Sequence, residues 1–253
     1  MPFAQVRDLR LYYELHGGGE PLVLLNGALD TIESDWGRHL PAFAARNRVL
    51  AYDHRGHGRS DNPPARFAGY GELAGDLVAL LDSLDIPRAR FCGFSDGAMT
   101  LINLALRQPA RVHSLILAGG QYTNDERTLG TLAKMSPEQI EARQPEWAAR
   151  LEQLHDAYHQ PGYWKDLLRQ MWPFWQVEPE FTLEQLGQIT APTLLIAGER
   201  DRFGHLDQQV AMRRAIPRSE LCIAPVAGHY VINDQPELFQ LVTLDFLRRT
   251  ELI

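Results

Sequence analysis

Cysteine is nearly missing from this chain: Cys92 and Cys222 are the only two in 253 residues. That excludes a disulfide framework. Both fall in β-rich runs, where a thiol reads as a small core hydrophobe and not as half of a metal pair. Lysine occurs only at 134 and 165, so basic charge is almost all arginine, which we read as coding bias. No excess of positive charge exists either. The 25 Lys and Arg against 32 Asp and Glu leave a net charge of −7, which argues against nucleic acid or an anionic membrane as partner. No uninterrupted apolar stretch approaches membrane-spanning length. The opening Met1-Pro2-Phe3-Ala4-Gln5-Val6-Arg7-Asp8 has no apolar core of a signal peptide, so a cytoplasmic protein is expected. Internal repeats and low-complexity tracts are absent. What remains is 45% hydrophobic and 23% charged, ordinary for one large core with an insertion. Oligomeric state is not legible at this level.

Period and punctuation predict strands near 3–7, 10–16, 22–25, 48–52, 89–94, 113–118, 192–197 and 219–224. Helices are expected near 37–46, 70–84, 96–107, 206–215 and 235–249. Alternation of the two implies a mostly parallel, doubly wound α/β sheet, entered through an antiparallel pair. Residues 121–190 break the rhythm with helical patterns and no convincing strand. They are too long for a plain crossover, so a helical cap is expected there, after the sixth strand, with 1–120 and 191–253 as the core. This segment holds Trp147, Trp164, Trp172 and Trp175, four of the five tryptophans. Most are read as packing. Trp172, Phe174 and Trp175 are candidates for an apolar substrate pocket.

Chemistry concentrates at Gly93-Phe94-Ser95-Asp96-Gly97, a G-x-S-x-G pattern between a strand and a helix. Such a sharp turn strains the serine backbone and holds its hydroxyl up at the sheet edge. The helix behind it turns free N–H groups toward developing negative charge. Ser95 is therefore the expected nucleophile. It needs a base, and the base needs an orienting acid. Asp201 follows the strand near 192–197 and His229 follows the strand near 219–224; in a parallel sheet such loops gather at one edge. Glu199 is a competing acid. Asp96 reads as a helix first-turn acid favoured by the dipole. His54 and His57, with Asp53, sit in a glycine-rich turn and read as structural, with no metal expected. His155 and His159 share a helix face and read as solvated surface.

These segments together resemble the α/β-hydrolase superfamily. Asp53-His54-Arg55-Gly56-His57-Gly58-Arg59-Ser60 is similar to the loop after its fourth strand, and Leu22-Val23-Leu24-Leu25-Asn26-Gly27-Ala28 to its oxyanion segment. The likeness runs from about residue 10 to 249 and is weak across the middle. One departure is Asn26-Gly27, where the family usually has His-Gly; Asn tolerates the turn. The resemblance implies backbone N–H groups of Ala28 and Asp96 as oxyanion donors and Asp201 as the acid. It implies a cap-bearing serine hydrolase that cleaves small, mainly apolar carboxylic esters or lactones through an acyl-enzyme, without cofactor. A nucleophilic aspartate is disfavoured because serine occupies the elbow. Three alternatives stay open: a carbon–carbon bond hydrolase for diketo acids, with Arg169 as a candidate carboxylate partner; a cofactor-free perhydrolase; and a slow-turnover ligand sensor.

Overall fold

The structure is a computed structural model and describes residues 2–251. Eight strands form one sheet: β1 (Phe3–Val6), β2 (Leu9–His16), β3 (Glu20–Leu25), β4 (Asn47–Tyr52), β5 (Ala89–Phe94), β6 (Val112–Ala118), β7 (Thr193–Gly198) and β8 (Ser219–Ala224). Their spatial order is β1-β2-β4-β3-β5-β6-β7-β8. β1 pairs antiparallel with β2, and β2 antiparallel with β4; every later pairing is parallel. The mostly parallel, doubly wound sheet is thus present, with strand ends within two residues of the expected ones.

Successive side chains on a strand point to opposite faces, and the core divides accordingly. Val23, Leu25, Phe91, Leu115, Leu117 and Leu195 pack on one face with Leu77, Leu80 and Leu101. These last three come from α2 (Tyr70–Ser83) and α3 (Asp96–Arg107). Their neighbours Leu22, Leu24, Cys92, Ile116 and Ile196 pack on the other face with Phe43, Phe239 and Phe246. Those aromatics come from α1 (Leu40–Ala44) and α11 (Pro236–Thr250). Central strands buried on both faces explain the unbroken apolar runs. Cys92 is buried, but Cys222 is only half-buried and β8 is less enclosed than expected.

The helix expected at 37–46 is instead a π-helical turn, Ile32–Trp36, followed by the short α1. Pro41 stands in the first turn of α1, where its missing N–H costs nothing, and so favours a helix that begins at Leu40 and not at 37.

Between β6 and β7 the described chain builds five α-helices. They are α4 (Glu126–Leu132), α5 (Pro137–Arg143), α6 (Pro145–His155), α7 (Tyr163–Trp175) and α8 (Leu183–Leu186). Local capping fixes their starts: the Asp125 carboxylate accepts from Thr128 N, and Thr182 and Gln185 cap each other's amides. Their apolar faces meet Leu29, Phe67, Tyr70 and Met99 in a third cluster. After β7 the chain forms α9 (Leu206–Ala215), and after β8 α10 (Val231–Asp234) before α11. No helix among the described residues is long and apolar enough to cross a membrane.

Candidate active site

Ser95 joins β5 to α3 at φ 51°, ψ −116°, a conformation costing roughly 1–3 kcal/mol for a non-glycine residue. Glycine is required on both sides. A Cβ on Gly93 would stand 2.6 Å from the Gly97 carbonyl carbon, and one on Gly97 2.5 Å from the Leu25 oxygen. The turn therefore closes only with glycine at both positions. Asp201 follows β7 and His229 follows β8, and the three residues meet at one edge of the sheet. His229 Nε2 lies 2.9 Å from Ser95 Oγ, and its Nδ1 lies 3.0 Å from each Asp201 oxygen. Phe203 and Gly204 amides donate to Asp201 Oδ1 at 2.8 and 3.2 Å, fixing the carboxylate from behind. Glu199 is turned away and accepts from Val226 N.

Burial alone would push the Asp201 pKa up, but facing His229 and the two amides hold it below the ordinary carboxylate value. For His229, burial favours the neutral ring. The Asp201 charge and hydrogen bond, with Asp96 and Asp30 further off, outweigh this and raise its pKa. The pair is thus ordered as a base with an anionic partner.

The Ala28 and Asp96 amides donate to no acceptor among the described residues. Both residues line the same cavity as Ser95 and His229. The turn before Ala28 is built tightly. Gly27 N donates to Asp35 Oδ2 at 2.8 Å, and Asn26 Nδ2 to the Tyr52 carbonyl at 3.2 Å. A Cβ on Gly27 would strike the Phe94 ring at 2.7 Å. Leu29, just after, has φ 59° and is held from both ends. His57 Nδ1 donates to the Arg55 carbonyl, so its Nε2 accepts from Leu29 N at 3.2 Å. His155 Nε2 donates to the Leu29 carbonyl at 2.9 Å while its Nδ1 accepts from Gly58 N at 3.0 Å. Arg55 is locked in turn by Asp76 and Glu72 of α2. His54, bonded to the Asn26 carbonyl, completes the turn. Burial depresses the pKa of His54 and His155 to about 4, so both rings are neutral. The reading of His155 and His159 as solvated is corrected: His155 is fully buried, and half-buried His159 bonds Gly58 O and stacks on Tyr163. Both rings face the core because α6 and the turn after it lie against the 53–60 loop.

Asp96 is more than a first-turn acid. Its carboxylate is buried and accepts from Tyr70 Oη at 2.8 Å and Trp175 Nε1 at 3.0 Å. Burial pushes its pKa up to about 6 despite these donors. A second network was not legible in sequence: Tyr230 Oη donates to Asp30, and Ser34 Oγ to the same carboxylate at 3.0 Å. It ties the turn after β3 to the residue after His229. Neither residue carries a motif, and 200 positions separate Asp30 from Tyr230.

The cavity is about 1030 Å³, and Met99, Leu132, Met135, Trp147, Trp175 and Phe203 give it apolar wall. Of the three expected aromatics only Trp175 lines it. Phe174 is turned into packing against Phe67 and Tyr70, with ring centroids 6.0 and 5.2 Å away. Half-buried Trp172 packs at the margin of the third cluster. In a helix, residues 172, 174 and 175 cannot share a face, since 100° per residue separates the first two by more than half a turn. Trp147, read earlier as packing, is the aromatic that sequence reasoning missed. Arg169 is exposed, pairs with Asp166 and Glu138, and does not line the cavity.

Known proteins resemble this chain in sequence and fold. The family model described as "Alpha/beta hydrolase family" matches residues 22–239. A relative from Caulobacter sp. (strain K31), called "Putative carbamate hydrolase RutD", is 32% identical over 94% of this chain and 95% of its own length. A Pseudomonas putida relative is named 2-hydroxy-6-oxononadienedioate/2-hydroxy-6-oxononatrienedioate hydrolase 2. It is 29% identical, covering 97% of this chain and 96% of the relative. Among solved structures, Est816, titled an N-acyl homoserine lactone degrading enzyme, superposes with a TM-score of 0.77 at 27% identity. That match covers 97% of this chain and 100% of the other. Sheet order, strand-to-helix elbow and family match agree, and the chain belongs to the alpha/beta hydrolase family as a hydrolase enzyme.

Proposed function

We propose that the protein cleaves small, mainly apolar carboxylic esters or lactones through an acyl-enzyme on Ser95. The carrying observation is the unbroken hydrogen-bond chain from Ser95 through His229 to Asp201 at the cavity wall. In this reading His229 Nε2 takes the Ser95 proton as Oγ attacks the carbonyl. Asp201 fixes the tautomer with Nδ1 protonated and stabilises the imidazolium without itself taking the proton. The tetrahedral oxyanion receives the Ala28 and Asp96 amides, whose acceptor positions are open. His229 then protonates the leaving alcohol, and a water activated by the same imidazole releases the acid. A lactone follows the same path with its alcohol still tethered. The segment 121–190 acts as a cap whose α4–α7 face supplies Trp147 and Trp175 to the apolar wall. No cofactor enters any step.

The Est816 likeness supports the lactone branch. A second reading, carbon–carbon bond hydrolysis of a diketo acid on the same three residues, is favoured by the name of the Pseudomonas putida relative. A panel of short and long acyl esters, lactones and diketo acids separates the two, with Ser95→Ala protein as blank. The proposal expects kcat/KM on an ester or lactone to exceed that on every diketo acid. The reverse ranking replaces it with the second reading.

A further inference from the structure

Four cations stand around the cavity: Lys134, Arg143, Arg150 and Arg202. All four are exposed, so they mark its mouth and not its interior. None has a carboxylate within salt-bridge distance among the described residues. The acids lining the same cavity are Asp30, Asp96, Glu178 and Asp234, and each is held by protein donors. Tyr230 and Ser34 bond Asp30, Tyr70 and Trp175 bond Asp96, the Tyr70 amide bonds Glu178 at 2.8 Å, and the Gly228 amide bonds Asp234 at 2.7 Å. Asp30 and Asp96 are buried, whereas Glu178 is half-buried and Asp234 exposed, so four exposed cations face two accessible carboxylates at the entrance. Arg150 reaches furthest in effect, since its charge is felt by both Asp30 and Asp35 beside the oxyanion turn.

The molecule carries a net charge of −7, and its overall field repels anions. The ring of cations at the entrance outnumbers the accessible carboxylates there and opposes that field where substrate enters. Below the ring the wall is apolar, with Met99, Leu132, Trp147 and Trp175. An amphipathic acid fits this gradient: apolar body inside, carboxylate outside.

We propose that the physiological substrate is anionic, an ester or lactone with an apolar body and a free carboxylate held at the mouth by Arg143 and Arg150, with Lys134 and Arg202 adding to the field. This rests on the ester or lactone reading above and names its substrate class. An exposed charge pair contributes roughly two- to fivefold in binding, so two acting together give about tenfold, screened by salt.

The test uses two aryl esters of equal carbon count, the p-nitrophenyl monoester of adipic acid and neutral p-nitrophenyl hexanoate. At low ionic strength the anionic-to-neutral ratio of kcat/KM should be about ten or more. It should fall toward one in 0.5 M NaCl and in Arg143→Gln/Arg150→Gln protein. Calorimetric binding of the same pair to Ser95→Ala protein reads the charge preference without turnover. A binding preference with no hydrolysis by the unsubstituted enzyme keeps the anion site and removes the esterase reading. Equal binding of the two esters, or a preference that survives both salt and substitution, overturns the proposal.

Discussion

At Ser95 the backbone stores strain that only a fixed surrounding can maintain, and the two flanking glycines are the device that maintains it. Gly93→Ala or Gly97→Ala should therefore lose activity with the three polar residues still in place, because backbone contacts of 2.6 and 2.5 Å cannot relax. Circular dichroism beside turnover checks this: a folded but fully active variant contradicts it. On the proposed mechanism His229 sets the pH response. Its pKa is raised above the ordinary 6.5 by Asp201, so kcat/KM should rise with pH through a midpoint above 6.5. Below that midpoint the ring is imidazolium and cannot accept the serine proton. Asp201→Asn removes the charge that raises it. The midpoint should move down and kcat should fall by about 10⁴-fold, the tautomer being wrong. A midpoint that stays put in Asp201→Asn would show that another group controls the base.

Among the elements, α6 and α7 do more than cover. His155, at the end of α6, pins the Leu29 carbonyl and Gly58 amide, so the insertion directly reaches the turn proposed to hold the oxyanion. His155→Leu leaves two buried backbone groups without partners, at about 1–3 kcal/mol each. On the proposed mechanism the turn acts on the oxyanion and not on bound substrate, so kcat should fall with KM little changed. A lowered Tm with unchanged kcat would reduce His155 to packing. The wall makes a second contrast. Trp147→Ala enlarges the cavity, so the preferred acyl chain should lengthen, each buried methylene adding about 0.8 kcal/mol. Trp172→Ala touches only the cluster margin and should leave the ranking of chain lengths as it was. The strands and α2, α3, α9 and α11 were legible because burial on both sheet faces writes local period into the chain. The run Trp172-Pro173-Phe174-Trp175 misled, since density of aromatics in sequence says nothing of which helix face meets the cavity.

For the whole molecule, parallel pairing from β4 and β3 through β8 brings the loops after β5, β7 and β8 to one edge. That rule made the order Ser95, Asp201, His229 readable across 134 residues. It gave no access to the Asp30–Tyr230 tie, the His155 clamp or the Asp96–Trp175 bond. Each joins segments with no shared motif, and the last two depend on where the insertion docks. The cation ring at the mouth belongs to the same class, assembled from α5, α6, the turn before α5 and the loop after β7. Fold and the candidate reacting groups were thus written locally, while shape and charge of the cavity arise from assembly. Intact-protein and peptide mass spectrometry after reaction with a fluorophosphonate ester tests the nucleophile most directly. Ser95 should carry the phosphonyl adduct alone, turnover should fall in proportion to labelling, and Ser95→Ala protein should be neither labelled nor active. An adduct elsewhere, or esterase turnover surviving in Ser95→Ala, would contradict the assignment.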